Sequence, residues 1–390
     1  MGDSLLGFRA TIPPRPHVCG LGTLLTCSLP IRDTRAFDPE IHGRRGTTRP
    51  RGPAKWRTKT LAEGDRIFGA ELSPYSVKVR SYYRYKGLPH RWVVRNSNTM
   101  ADYQKHAKIP IIPLVVSPDD QAMQDSTPII EALEAAHPEP SIHPSDPVAA
   151  FVSTLLEEFG DEWGNKWMFH LRWARDVDQI ATAGRIAATM LAGADEEQVA
   201  AMAAQIRERM VGRTWFVGSN AQTGPQIEQS FRDGLAGLNT HLATRPYLFG
   251  GRPAFGDFGL WGQVYNAWTD PTGSSLVEAA PHVLDWVHRM TWPSAQGEFE
   301  TWSTLEPTLM PFLENQVGGL FMPWTLANER AVAEGSDEFS VELAGQTWTQ
   351  KPQKYHAKSL AALRKKFAGS DAALLGPVLE RAGCLAGLKS

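Results

Sequence analysis

From Arg66 onward, apolar positions alternate between short and helical periods. RIFGAEL (66–72) reads as a strand. Ser73-Pro74 then supplies a helix start, a good N-cap residue followed by proline at the first helical position. The helix SPYSVKVRSYYRYKG runs to Gly87, a residue suited to a C-terminal cap. HRWVVRN predicts a second strand, with Trp92 and Val94 alternating against polar neighbours. The run from Ile109 to Val116 is almost wholly apolar and predicts a buried strand. Pro110 and Pro113 interrupt it, so at least one of them sits where the strand bends or its edge is free, and a cis peptide suits that place. After a turn at SPDDQ, Ile129, Ile130, Leu133 and Ala136 recur at helical spacing. Strand, helix, strand, two short strands and a helix thus fill 65–140.

His137-Pro138-Glu139-Pro140 breaks that last helix, and Pro144 and Pro147 keep the following residues out of helix, which makes this stretch a linker. The pattern is helical nearly throughout 148–315, with Phe151, Leu155, Leu156 and Phe159 on one stripe. In 316–390, FSVEL and QTWTQ flank Ala344-Gly345 as a hairpin, and LAALRKKFAG and AALLGPVLERAG read as short helices. This extension is expected to pack on the helical region, and either to cover a site or to contact a second subunit. The first sixty residues differ, with eleven Lys/Arg against four Asp/Glu, many prolines and no sustained period. Residues 1–64 therefore read as a disordered extension, an upstream addition to the true start, or a basic targeting leader.

Composition narrows the classes of function. Hydrophobic residues make up 42% of 390 and the formal net charge is -2, so nothing draws the whole chain to nucleic acid or anionic membrane. Cys19, Cys27 and Cys384 form no CxxC pair, which argues against a disulfide framework and for a reducing, cytoplasmic compartment. His137, His143 and His170 lack paired ligand spacing, so no metal site is expected. The glycines at 20–22 lack the strand, helix and third glycine of a dinucleotide site.

Asp125, Ser126 and Thr127 cluster at the mouth of a helix, whose free N–H groups and partial positive charge suit a ligand carboxylate. The same residues are also ordinary capping residues. Taken in order, Ser-Pro-Tyr-Ser at the first helix, Ile-Pro-Leu-Val in the proline-bearing strand and Gln-Asp-Ser before the next helix resemble the glutathione-binding domain of the glutathione transferase superfamily. The resemblance covers about two-thirds of the chain. It implies an α+β thioredoxin-like N-terminal domain, a mixed sheet of about four strands, followed by an all-α C-terminal domain. It further implies that Pro113 is the family's cis-proline, with Pro110 the competing assignment, that the Ile112 backbone pairs with the cysteinyl part of glutathione, and that Asp125 and Ser126 hold its γ-glutamyl end. The segment from Tyr247 to Leu260 resembles the family's entry into its central helix, where Asp257 serves folding, although Ala254 stands where a Ser or Thr is usual.

A free thiol has a pKa near 8.5, so only a few per cent of glutathione is thiolate at neutral pH. A hydroxyl donor at a helix N-terminus favours the charged form. By resemblance to the serine-type members, Ser73 is the candidate to hydrogen-bond the sulfur, with Ser76 second and Tyr75 third. The cysteine-type members carry Cys where this chain has Ser73, so chemistry through a protein thiol is not expected. The expected protein is a cytoplasmic, homodimeric glutathione transferase that joins glutathione to a hydrophobic electrophile, with glutathione as co-substrate and no metal, nucleic acid or membrane partner. The alternative is a catalytically silent glutathione-transferase-like binding or interaction protein. Many tryptophans follow residue 150; most read as core, while Phe169, Trp173 and Trp324 are candidates for an apolar co-substrate pocket.

Overall fold

The computed structural model describes residues 64–389. The reading of 1–64 as an extension or leader, and Cys19 and Cys27, lie outside the described residues, save for Gly64 itself. The chain begins with β1 (Asp65–Gly69), α1 (Pro74–Lys86), β2 (His90–Val94), α2 (Met100–His106), β3 (Leu114–Val116), β4 (Ala122–Gln124) and α3 (Ser126–Ala136). The sheet runs β2-β1-β3-β4, with β1 and β2 parallel and the other pairs antiparallel. This is the expected thioredoxin-like mixed sheet of four strands.

Two differences from the sequence reading have local causes. The strand expected over 109–116 is paired only from Leu114 to Val116, because Pro110 and Pro113 have no N–H to donate to a ladder; the peptide between Ile112 and Pro113 is cis. Helix α2 was not anticipated; its seven residues are too few for a visible period, and it is held by Tyr103, which is buried in a small cluster with Phe68, Leu114 and Val116.

Helices follow: α4 (Pro147–Phe159), α5 (Asn165–Ala174), α6 (Asp176–Met190), α7 (Glu196–Val211), α8 (Gly224–Leu242), α9 (Phe255–Trp268), α10 (Pro271–Glu278), α11 (Pro281–Arg289), α12 (Trp302–Phe312) and α13 (Met322–Glu334). A π-helical turn, Gly160–Gly164, joins α4 to α5, and another, Leu313–Phe321, joins α12 to α13. The hairpin β5 (Phe339–Leu343) and β6 (Gln346–Gln350) turns on Ala344 and Gly345, both at positive φ, as a two-residue hairpin of this kind requires. Then come α14 (Lys354–Ala368), α15 (Ala372–Arg381) and α16 (Leu385–Lys389). No helix among the described residues is long and apolar enough to cross a membrane.

Helix α9 is the central element, buried along nearly its whole length and packed against α1, α4 and α5. Its start is held by Asp257, whose carboxylate accepts from the backbone N–H of Leu248 (2.8 Å) and Ala254 (2.9 Å) and from Trp286 Nε1 (2.9 Å). Ala254 has no side-chain oxygen to return the bond, so the Asp257 N–H goes to the Ala254 carbonyl at 2.9 Å. Glycine permits the closest contact with α1: a Cβ on Gly262 would lie 2.7 Å from the Pro74 carbonyl oxygen.

Candidate functional site

Strand register gathers the three sequence-predicted segments at one end of the sheet. Phe68 of β1 pairs with Leu114 of β3, and Leu114 pairs with Gln124 of β4. The chain leaves β1 for Ser73, enters β3 from Ile112-Pro113 and leaves β4 for Asp125, all at that same end. The cis peptide falls at Pro113 rather than Pro110. Pro113 is buried and Ile112 half-buried, just outside the strand register.

Ser73 caps α1 with extended backbone geometry. Its Oγ accepts from the Ser76 N–H (3.3 Å) and from Ser76 Oγ (3.0 Å). With two donors on the oxygen, the Ser73 hydroxyl keeps its own proton to give. Ser76 itself is wholly buried. The Tyr75 hydroxyl points elsewhere, donating to the Asp161 carbonyl at 3.2 Å, and burial pushes its phenol well above the usual range. The loop before Ser73 is held from the helical side: Arg172 of α5 donates to the Leu72 carbonyl (2.9 Å) while its Nε binds Asp270 (2.6 Å). Glu71 is clamped by Arg80 (2.6 and 2.8 Å) and by Tyr265 (2.6 Å).

Gln124 fixes the approach to the cis-proline. Its side chain accepts from the Lys108 N–H (2.9 Å) and donates to the carbonyls of Ile109 (2.8 Å) and Ile111 (3.0 Å). The Tyr103 hydroxyl also reaches the Ile111 carbonyl at 2.7 Å.

At the mouth of α3, Asp125 stands at φ 78°, ψ 127°, a positive-φ conformation uncommon for any residue but glycine. It makes no side-chain cap bond. Ser126 is 1% exposed and its Oγ has no hydrogen-bond partner. Plain capping therefore does not account for either side chain; a buried hydroxyl without a partner is costly and points to a ligand.

Behind the site lies a buried charge cluster. Lys78 Nζ of α1 binds Glu157 Oε1 (2.5 Å), Asp161 Oδ2 (2.6 Å) and Thr127 Oγ1 (3.1 Å). The lysine is held charged by its two carboxylates, which outweigh its burial. One cation serves two acids, and the Asp161 carboxyl is pushed up to about 7, by burial first and then by the Glu157 charge. This cluster ties α1 to α3 and α4. Its only sequence signal is the acid pair Glu157 and Asp161, one helical turn apart, beside the apolar stripe of Phe151, Leu155 and Phe159.

Of the candidate co-substrate aromatics, Phe169 and Trp173 meet, with ring centres 6.4 Å apart, whereas Trp324 packs on Trp163, Phe321 and His356 instead. Trp324 is fully buried with Lys166 Nζ 3.7 Å from its ring centre, Phe169 packs on the core, and Trp173 faces a separate cavity of about 380 Å³. Trp324 is thus a core residue rather than a pocket wall. No group of three or more His, Cys, Asp or Glu among the described residues could hold a metal ion.

Comparison with known families finds a match to the model described as "Glutathione S-transferase, N-terminal domain" over residues 67–141, and to "Glutathione S-transferase, C-terminal domain" over 192–289. No curated protein matches. Among solved structures, a glutathione S-transferase of Methylobacterium radiotolerans in complex with glutathione sulfonate is 22% identical, covering 60% of this chain and 98% of that one, with a TM-score of 0.32. One from Methylobacillus flagellatus with glutathione bound is 16% identical over 59% and 95%, TM-score 0.35. A beta-etherase of a Sphingobium strain is 18% identical over 59% and 96%, TM-score 0.39. Such low TM-scores carry no weight for chemistry.

Proposed function

Because the chain belongs to the glutathione S-transferase superfamily, we propose that it is a glutathione transferase, joining glutathione to a hydrophobic electrophile. Glutathione lies across the end of the sheet. Its γ-glutamyl carboxylate takes the Ser126 hydroxyl and the N-terminus of α3, its γ-glutamyl ammonium takes Asp125, and its cysteinyl backbone pairs with Ile112 beside Pro113. The single observation that carries this reading is the buried, unpartnered Ser126 hydroxyl at a helix N-terminus, at the same end of the sheet as Ser73.

Ser73 donates a hydrogen bond from its hydroxyl to the glutathione sulfur while keeping its proton, and the N-terminus of α1 adds its partial charge. Both favour the thiolate over the thiol, whose proton leaves to solvent. The thiolate then attacks the electrophile, the sulfur–carbon bond forms, and the electron pair leaves with the displaced group or rests on the acceptor. Ser76 positions Ser73 through its hydrogen bond. The protein works as a cytoplasmic homodimer, as members of this superfamily usually do.

Steady-state kinetics on an aryl halide test the role of Ser73. Ser73→Ala is expected to lower kcat roughly tenfold or more while the affinity for glutathione changes less, since a donor aimed at developing charge acts on turnover. Unchanged turnover removes Ser73 from the mechanism. Binding of glutathione without turnover on any electrophile favours the catalytically silent alternative.

A further inference from the structure

Helix α14 lies outside both family-matched segments, yet it reaches the mouth of α3. Tyr355, in its first turn, donates its hydroxyl to Asp125 Oδ2 at 3.0 Å. The rest of α14 is stitched down around that contact. His356 hydrogen-bonds Glu162, Ser359 donates to Glu158, and Lys366 pairs with Glu131 of α3 at 2.6 Å. Between these helices lies a cavity of about 310 Å³, within the range of small-molecule sites, lined by Asp125, Thr127, Glu158, Asp161, Tyr355 and Lys358 among others. Burial and the Asp125 charge hold the Tyr355 phenol protonated throughout the physiological range, so it remains a donor.

We propose that Tyr355 completes the glutathione site from the C-terminal extension: by donating to Asp125 Oδ2 it fixes the carboxylate so that Oδ1 faces the γ-glutamyl ammonium of glutathione. The inference rests on the glutathione-binding reading above. It makes Tyr355 a positioning residue, acting through Asp125. The geometry favours this role over competition, because a carboxylate offers two oxygens and the phenol occupies one. The Asp125 carbonyl accepts from the Ile129 N–H, but its carboxylate makes no cap bond, and among the described residues Tyr355 is the one hydrogen-bond donor to that carboxylate.

The test is a calorimetric titration of the full chain and of Tyr355→Phe, Asp125→Asn and the double variant, each with glutathione and with glutaryl-cysteinyl-glycine, the analogue that lacks the γ-glutamyl ammonium. Phenylalanine keeps the ring, and asparagine tolerates positive φ, so both variants should fold. Tyr355→Phe is expected to raise the glutathione Kd about three- to tenfold, less than the direct loss of a hydrogen bond to a charged ligand group, because Tyr355 acts only through Asp125. It should leave the analogue's Kd unchanged, and it should have no effect in the Asp125→Asn background. An unchanged or lowered glutathione Kd, or an equal loss for the analogue, overturns the role of Tyr355 while leaving glutathione binding intact. Absence of saturable binding to the unaltered chain overturns the underlying reading, and this inference with it.

Discussion

In the proposed mechanism Ser73 serves two purposes. As an N-cap it accepts from the Ser76 backbone, and as an acceptor from Ser76 Oγ it is left with a polarised O–H to donate. Ser76→Ala removes only the second bond. Turnover is expected to fall about two- to fivefold, the effect of one neutral hydrogen bond, with helix α1 intact because the backbone cap persists. Circular dichroism and kinetics together check this; a loss as large as that of Ser73→Ala contradicts it. Ser73, Pro113 and Asp125 could be picked out from the sequence because their signals are local: a cap, a proline in an apolar run, polar residues before a helix. Gln124, Arg172 and Tyr355 could not. Each acts on a residue brought close only by the fold, and Tyr355 stands 230 positions from its partner.

Among the elements, the predictable ones were those with enough residues to display a period. Helices α1 and α3 and the hairpin of β5 and β6 fall where periodicity and turn residues placed them. Helix α2 and the shortened β3 did not, the first for want of length and the second because two prolines without N–H donors interrupt an apolar run. The close approach of α9 to α1 was also invisible, since the three glycines of α9, Gly256, Gly259 and Gly262, give no hint of which neighbour each meets. Gly262→Ala would drive a methyl into the Pro74 carbonyl and shift the turn that presents Ser73. We expect urea denaturation to report a loss of about 1–3 kcal/mol, typical of overpacking, with turnover reduced as well. Full stability with full activity would show that the α1–α9 contact does not position Ser73.

For the molecule as a whole, buried acids make stability depend on pH. The Glu158 carboxyl, facing α14, is pushed up to about 8, by burial first and by the charges of Glu157 and Asp161, against donation from Ser359. The folded protein thus holds this proton more tightly than the unfolded chain does. Its contribution to stability is present below the ordinary value of 4.5 and is lost as pH rises through 8. Glu158→Gln keeps an acceptor for Ser359 and cannot ionise. Its melting temperature is expected to exceed that of the parent by more at pH 8 than at pH 5; a constant difference would assign the effect to packing instead.

The mouth of α3 remains the centre of the account. Calorimetric titration of glutathione into the full chain and into Ser126→Ala tests it most directly. We predict one saturable site in the parent and at least roughly tenfold weaker binding in the variant, because a hydroxyl that meets a charged carboxylate is lost. Heats of dilution alone, or equal affinities for both proteins, would contradict it.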